Sequence, residues 1–432
     1  MQTLEQLRAG ELHGARRLKL ACGLTEFPTE IFDLADTLEI LDLSGNALSS
    51  LPADLPRLAR LQIIFCSNNQ FAELPEILGA CPELRMVGFK ANRINSISCH
   101  ALPAKLRWLI LTDNRIADLP SELGNRPLQK LMLAGNQLRT LPATMAACTT
   151  LELLRISANN FSALPPWLLA LPRLSWLAYA GNPFSAGAEK EAEDNPIAHI
   201  PWNQLALENR LGEGASGQIY RATHLGKPVA VKLYKSALTS DGLPDCEMAA
   251  CIRAGTHPSL VPVLGKVPDH PQGIAALVMP LIAPEFTNLA GPPSFDSCTR
   301  DVYPADQRFL LGHALGIAQG VAASARHLHA RGIMHGDLYG HNVLHCGEGS
   351  ALLGDFGAAS FHEPGSPLAG ALERLEVRAF GCLLEELLQR CDGAVPEQLA
   401  RLRDDCLQPA PALRPPFHEI AQRLQSLPDN HY

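Results

Sequence analysis

The sequence predicts an α/β solenoid of short coils, followed by an α+β domain of a different, non-repeating kind. Three observations carry that division. A pattern of leucines closed by an asparagine recurs every 22 or 23 residues up to Asn182 and then stops. Beyond it, a glycine-rich stretch lies between two strand-like runs, the second ending in a lysine. Farther on, Asp337, Asn342 and Asp355 place an amide between two carboxylates, and the short apolar runs between Asn342 and Asp355 read as a hairpin presenting all three groups on one edge.

The first element is the repeat array. Seven units follow L-x-x-L-x-L-x-x-N, from Leu38-Leu41-Leu43-Asn46 and Leu61-Ile64-Cys66-Asn69 through to Leu174-Leu177-Tyr179-Asn182. An eighth, imperfect unit precedes them at Leu18-Lys19-Leu20, as terminal units of a stack often do. Alternate residues of each short strand point inward, so the leucines of successive coils stack into one continuous core. Each asparagine is placed to satisfy backbone groups where the chain turns, and Leu-Pro pairs such as 51–52 and 74–75 set an extended return path. These units resemble the leucine-rich repeat, whose period lies at about 20–29 residues.

Function on such an array lies on strand positions that point out, onto the concave face. The third position of each unit reads Ile40, Ile63, Met86, Trp108, Lys130, Leu153 and Trp176, apolar in all but one. With Phe65 and Ile110 from the fifth position, this column forms a contact surface for a protein substrate or regulator, or for another part of the same chain. Trp108 is its natural anchor.

Residues 1–187 are therefore expected to form the solenoid. The small, acidic stretch that follows has no apolar pattern to bury, and residues 188–203 read as a linker. The second domain is expected over 204–427.

In that domain Leu211-Gly212-Glu213-Gly214-Ala215-Ser216-Gly217-Gln218-Ile219 sits between strand-like runs rather than before a helix. That setting favours a flexible hairpin whose backbone approaches phosphates over a dinucleotide-binding turn. Val229-Ala230-Val231-Lys232 reads as a buried strand ending in a lysine that needs a partner, and Glu247 stands in a helical run after Pro244. Asp306 to Arg331 reads as a long helix.

His335-Gly336-Asp337-Leu338-Tyr339-Gly340-His341-Asn342 and Asp355-Phe356-Gly357, taken with these elements, resemble the protein kinase family. The likeness implies a two-lobed α+β domain using ATP and Mg2+. It assigns Leu211, Gly212, Gly214, Gly217 and Ile219 to the nucleotide, and Lys232, oriented by Glu247, to its phosphates. It gives Asn342 and Asp355 to the metal and makes Asp337 the catalytic base or hydroxyl-positioning group. His257-Pro258, Phe380-Gly381 and Arg414-Pro415 extend the resemblance to roughly residues 204–427.

Three departures stand out. The arginine usual before the catalytic aspartate is Gly336, and the lysine two residues after it in many serine/threonine kinases is Tyr339. Only about twenty residues separate Asp355 from Glu376, and they hold no A-P-E, so the activation segment reads as truncated. His341 is either a source of the missing positive charge or a surface group. The His-Gly-Asp-Leu run also resembles small-molecule phosphotransferases of the aminoglycoside and choline kinase type. A pseudokinase scaffold is a third reading, although the glycines, the lysine and the metal aspartate are all retained.

A formal charge of −8 argues against general nucleic-acid affinity. Twelve cysteines without a C-x-x-C pair fit a reducing cytoplasm better than a zinc site or a disulfide framework. No apolar run approaches the length of a membrane span, about 18 residues. The N-terminal Met1-Gln2-Thr3-Leu4-Glu5 lacks the layout of a signal peptide.

Overall fold

The computed structural model describes residues 2–235 and 238–427, divided into two compact units, Met1–Leu171 and Pro172–Tyr432. In the first, a short helix α1 (Leu4–Arg8) opens the chain, closed at its start by a reciprocal pair of bonds between Thr3 and Gln6. Seven three-residue strands follow: β1 (Arg17–Lys19), β2 (Ile40–Asp42), β3 (Ile63–Phe65), β4 (Met86–Gly88), β5 (Trp108–Ile110), β6 (Lys130–Met132) and β7 (Leu153–Arg155). They pair in sequence, all parallel and in register.

That register stacks Leu41, Ile64, Val87, Leu109, Leu131 and Leu154 into one fully buried row, as the alternation predicts. The asparagines form the expected ladder. Asn114, for example, donates from Nδ2 to the carbonyls of Phe89 and Leu111 and accepts the Ile94 N–H at Oδ1 (3.0 Å), tying one coil to the one before it. The return legs are not merely extended. Each of the prolines at 75, 120 and 142 has extended backbone but is followed by a 3-10 turn of five residues. A rigid extended proline before the first helical position pre-sets that turn.

The column Ile40, Ile63, Met86, Trp108, Lys130 and Leu153 lies side by side across the strands. The Phe65 ring covers Gly88, where a Cβ would come within 2.4 Å of it. Lys130 Nζ stands 4.2 Å from the Trp108 ring centre.

The second unit begins with the last repeat coil, which carries β8 (Trp176–Ala178), so the boundary falls at 171/172 rather than at 187. The reason is the set of bonds that the coil makes to the kinase-like part, described below. The acidic stretch expected as a linker holds a helix, α2 (Ala186–Glu193). Glu189 closes its start, accepting from Gly181 N (2.7 Å) and Ser185 Oγ (2.6 Å), and Ala192 is fully buried. Alanine and glutamate favour helix strongly enough that one small buried face suffices; a reading that looked for large apolar residues misses it.

Next comes an antiparallel sheet of β9 (Leu205–Glu213), β10 (Gly217–His224), β11 (Lys227–Tyr234), β12 (Gly265–Val267) and β13 (Ala276–Pro280), in the order β12-β13-β11-β10-β9. Helix α3 (Pro244–Ala254) follows β11 in the chain. The larger, helical part contains β14 (Thr287–Asn288), α4 (Leu311–Ala330), β15 (Ile333–Met334), β16 (Val343–His345), β17 (Ala351–Leu353), β18 (Ser360–Phe361), α5 (Pro367–Leu388), α6 (Glu397–Cys406) and α7 (Phe417–Gln425). β16 and β17 form the expected hairpin, and β15 pairs with β18. Helix α5 starts at Pro367, only ten residues past Gly357, so the segment between is as short as the sequence implies. Gly381 sits where α5 meets Cys406 and Leu407, closer than a Cβ allows. Among the described residues no helix is long and apolar enough to cross a membrane.

Candidate active site

The glycine stretch is the turn between β9 and β10, closed by Gly214 N donating to Gly217 O (2.9 Å). Gly217 packs against β11, where a Cβ would meet the Leu233 carbonyl at 2.5 Å. The turn overhangs a cleft of about 680 Å³ lined by Leu211, Gly214, Gly217, Ile219, Lys232, Glu247, Met279, Asn342, Leu344 and Asp355 among others. Leu211, Ile219 and Leu344 supply apolar lining that suits a flat ring, and Lys232, Glu247 and Asp355 bring charge to the same cleft. Gly212 does not line the cleft; it pairs with Ile219 in the sheet.

Lys232 lies within β11 rather than at its end, and Nζ contacts Glu247 Oε1 on α3. Both side chains are largely buried, Glu247 at 2% exposure. Burial works against the lysine charge, yet Glu247 and Asp355 together hold its pKa above the ordinary value. Burial pushes the Glu247 carboxyl up, against the pull of Lys232. The lysine is the firmly charged member of the pair, and it lines the cleft as a cation suited to meet an anion there.

The catalytic-loop motif follows β15. Asn342 donates from Nδ2 to Asp337 at both the carbonyl and Oδ2 (2.9 Å each), which leaves the amide oxygen as its donor to a cation. Asp355 has a left-handed backbone, φ 53°, and its Oδ1 accepts the Gly357 N–H at 3.1 Å. A short polar side chain that bonds its own turn tolerates that conformation. Asn342 and Asp355 line the same cleft and offer hard oxygen donors. That pair fits Mg2+, which takes few protein ligands and completes its shell from water and phosphate. Among the described residues no group of three or more His, Cys, Asp or Glu side chains stands ready to hold a metal unaided. Asp337 is not part of the cleft lining; Asn342 joins it to the cleft.

Residues 205–369 match the family model described as protein tyrosine and serine/threonine kinase, and residues 37–58 match the leucine-rich repeat. The chain is thus similar to leucine-rich repeats in its first part and to protein kinase domains in its second. It is 32% identical over 161 residues to the DNA damage-responsive serine/threonine-protein kinase RqkA of Deinococcus radiodurans, covering 35% of this chain and 22% of that protein. The rat leucine-rich repeat-containing G-protein coupled receptor 5 is 35% identical over 150 residues, 33% of this chain and 15% of the receptor. The mouse megakaryocyte-associated tyrosine-protein kinase is 26% identical over 278 residues, 54% of this chain and 52% of the relative. The chain thus spans well under two thirds of the length of these relatives.

Two buried carboxylates that brace the kinase loop were not singled out from sequence. Glu376 on α5, fully buried, accepts from Gly336 N (2.7 Å), His335 N (3.3 Å) and His329 Nε2 (2.8 Å). Asp301 accepts from the N–H groups of Gly340 and His341 and bonds His341 Nδ1 at 2.7 Å. Burial disfavours the His341 cation, but its bond to Asp301 and the nearby charge of Asp337 raise its pKa overall. A glutamate at helical spacing from Leu372 and Phe380, on the apolar face of a helix whose other charges lie elsewhere in the pattern, is the signal that would have found Glu376. Asp301, in a loop, carries no such signal.

Proposed function

We propose that the chain is an ATP-dependent protein kinase of the serine/threonine type, with repeats that recognise or regulate its protein partners. One observation carries the reading: the Lys232–Glu247 ion pair, under the glycine turn, shares its cleft with Asn342 and Asp355. Phosphoryl transfer needs positioning and charge neutralisation more than covalent chemistry, and that set supplies both.

Leu211, Gly214, Gly217 and Ile219 cover the nucleotide, and Gly212 holds the turn's strand in register. Lys232, oriented by Glu247, binds the phosphates. Asn342 and Asp355 hold Mg2+, which when bound neutralises phosphate charge. Asp337 orients the acceptor hydroxyl and takes its proton. His341 lines the same cleft, and Asp301 and Asp337 favour its charged form, which suits it to supply positive charge where Tyr339 replaces a lysine. The match over residues 205–369 favours a protein acceptor over a small molecule, and the retained lysine, glycines and metal aspartate favour catalysis over a scaffold role. The relatives named as serine/threonine kinases support that acceptor type, although a tyrosine kinase is among them. Twelve free cysteines, many of them buried, support a reducing cytoplasm as the site of action.

Purified protein incubated with labelled ATP, Mg2+ and a mixed protein substrate, followed by phosphoamino-acid identification, tests this. Transfer to serine or threonine is expected. Asp337→Asn should lower the rate about 10²- to 10⁴-fold, and Asp355→Asn should abolish transfer with the fold intact. Unchanged activity in either variant overturns the assignment; label on tyrosine alone overturns the acceptor type.

A further inference from the structure

We propose that the last repeat coil, residues 172–179, is a built-in brace of the kinase catalytic loop, and that Trp176 is a positioning residue for Asp337. This rests on the kinase reading above. The Trp176 and Tyr339 rings stack with centres 4.2 Å apart and planes 8° from parallel. Trp176 Nε1 donates to the Leu338 carbonyl at 3.0 Å, one residue beyond Asp337. Trp176 is 1% exposed and Tyr339 4%. Tyr339 does not face the nucleotide cleft.

The same coil grips the strand on the other side of the loop. Tyr179 N donates to Ser360 Oγ (2.9 Å), and the Tyr179 hydroxyl donates to the Phe361 carbonyl (3.2 Å). Ser360 and Phe361 form β18, which pairs with β15 immediately before His335. Between these grips Gly336 has φ 74°, and a Cβ there would lie 2.7 Å from the Leu177 carbonyl. Only glycine admits the coil so close.

Two buried or half-buried arginines hold the coil from the helical side. Arg378 on α5 donates to Arg173 O (3.1 Å) and Ser175 Oγ (2.7 Å). Arg414 donates to the carbonyls of Pro172 (2.8 Å), Arg374 (2.9 Å) and Gln408 (2.8 Å). A loop without the adjacent arginine, followed by only residues 358–366 before α5, has no phosphate clamp to order it. The coil supplies that order permanently, by stacking and by bonds to main-chain carbonyls on both flanks.

The test compares the intact wild-type chain with Trp176→Ala and Trp176→Phe. Trp176→Ala should lower kcat about tenfold or more, the scale set by loss of positioning, while affinity for a fluorescent ATP analogue stays unchanged. Amide hydrogen exchange should quicken at 336–342 and 358–361 and not at the glycine turn. Trp176→Phe, which keeps a ring against Tyr339 but loses the N–H, should recover part of both. A faster reaction in Trp176→Ala would make the coil a brake and overturn the proposal, as would unchanged exchange in the loop. Should the alanine variant not fold, Trp176→Phe and Tyr179→Phe carry the same comparison. If the wild-type protein transfers no phosphate, the kinase reading fails, and the exchange data still decide whether the coil braces the loop.

Discussion

Replacing Glu376 by glutamine changes one oxygen to NH2 at the buried anchor of the catalytic loop. The carboxylate accepts three bonds, from Gly336 N, His335 N and His329 Nε2. Glutamine Oε1 can keep Gly336, but its NH2 then faces the His335 N–H, donor against donor. A buried donor left unmatched costs about 1–3 kcal/mol, and the remaining bond loses its charge assistance, roughly another 1 kcal/mol. The second unit should therefore lose about 3 kcal/mol. The loss should depend on pH in a definite way. Burial alone would raise the Glu376 pKa, but the hydrogen bond and charge of His329, with the backbone bond from Gly336, hold it below the ordinary value. A lowered carboxylate stabilises the fold above its unfolded pKa, and that contribution disappears as pH falls through the folded value. The gap between wild type and Glu376→Gln should thus be full at pH 7 and narrow only below about 4.5. Urea unfolding of the intact chain, followed by circular dichroism at several pH values, measures it. A difference under about 1 kcal/mol at pH 7 would refute the anchoring role.

His362 should govern stability in a higher window. It is 3% exposed, neither ring nitrogen has a partner among the described residues, and burial followed by the nearby His329 pushes its pKa down to about 4. The unfolded chain takes up this proton near 6.5 and the folded one only near 4, so stability should fall by about 3 kcal/mol as pH drops across that interval; His362→Leu should flatten the slope in the same titration. Because the segment after Gly357 is short and Gly336 offers no phosphate grip, the initial rate should survive phosphatase treatment and removal. A large drop, with a lag that autophosphorylation reverses, would show that loop phosphorylation is required.

What sequence alone determined is whatever repeats or stands at close spacing. The leucine rows and asparagine ladder follow from a 22- or 23-residue period, because each coil buries only what its neighbours repeat. The β16–β17 hairpin between Asn342 and Asp355, and α3 carrying Glu247, are local choices that turn residues and apolar runs announce. Tertiary structure decided the rest. Trp176 was visible only as one more member of an outward column, and nothing near it in sequence names Leu338 or Tyr339, 162 and 163 residues away, as its partners. Glu376 and Asp301 brace a loop about 40 residues distant through backbone N–H groups, which every residue but proline carries and no motif distinguishes. The last repeat looks like its predecessors because it is built by the same stacking; its membership of the second unit comes from bonds that exist only once the chain has folded back.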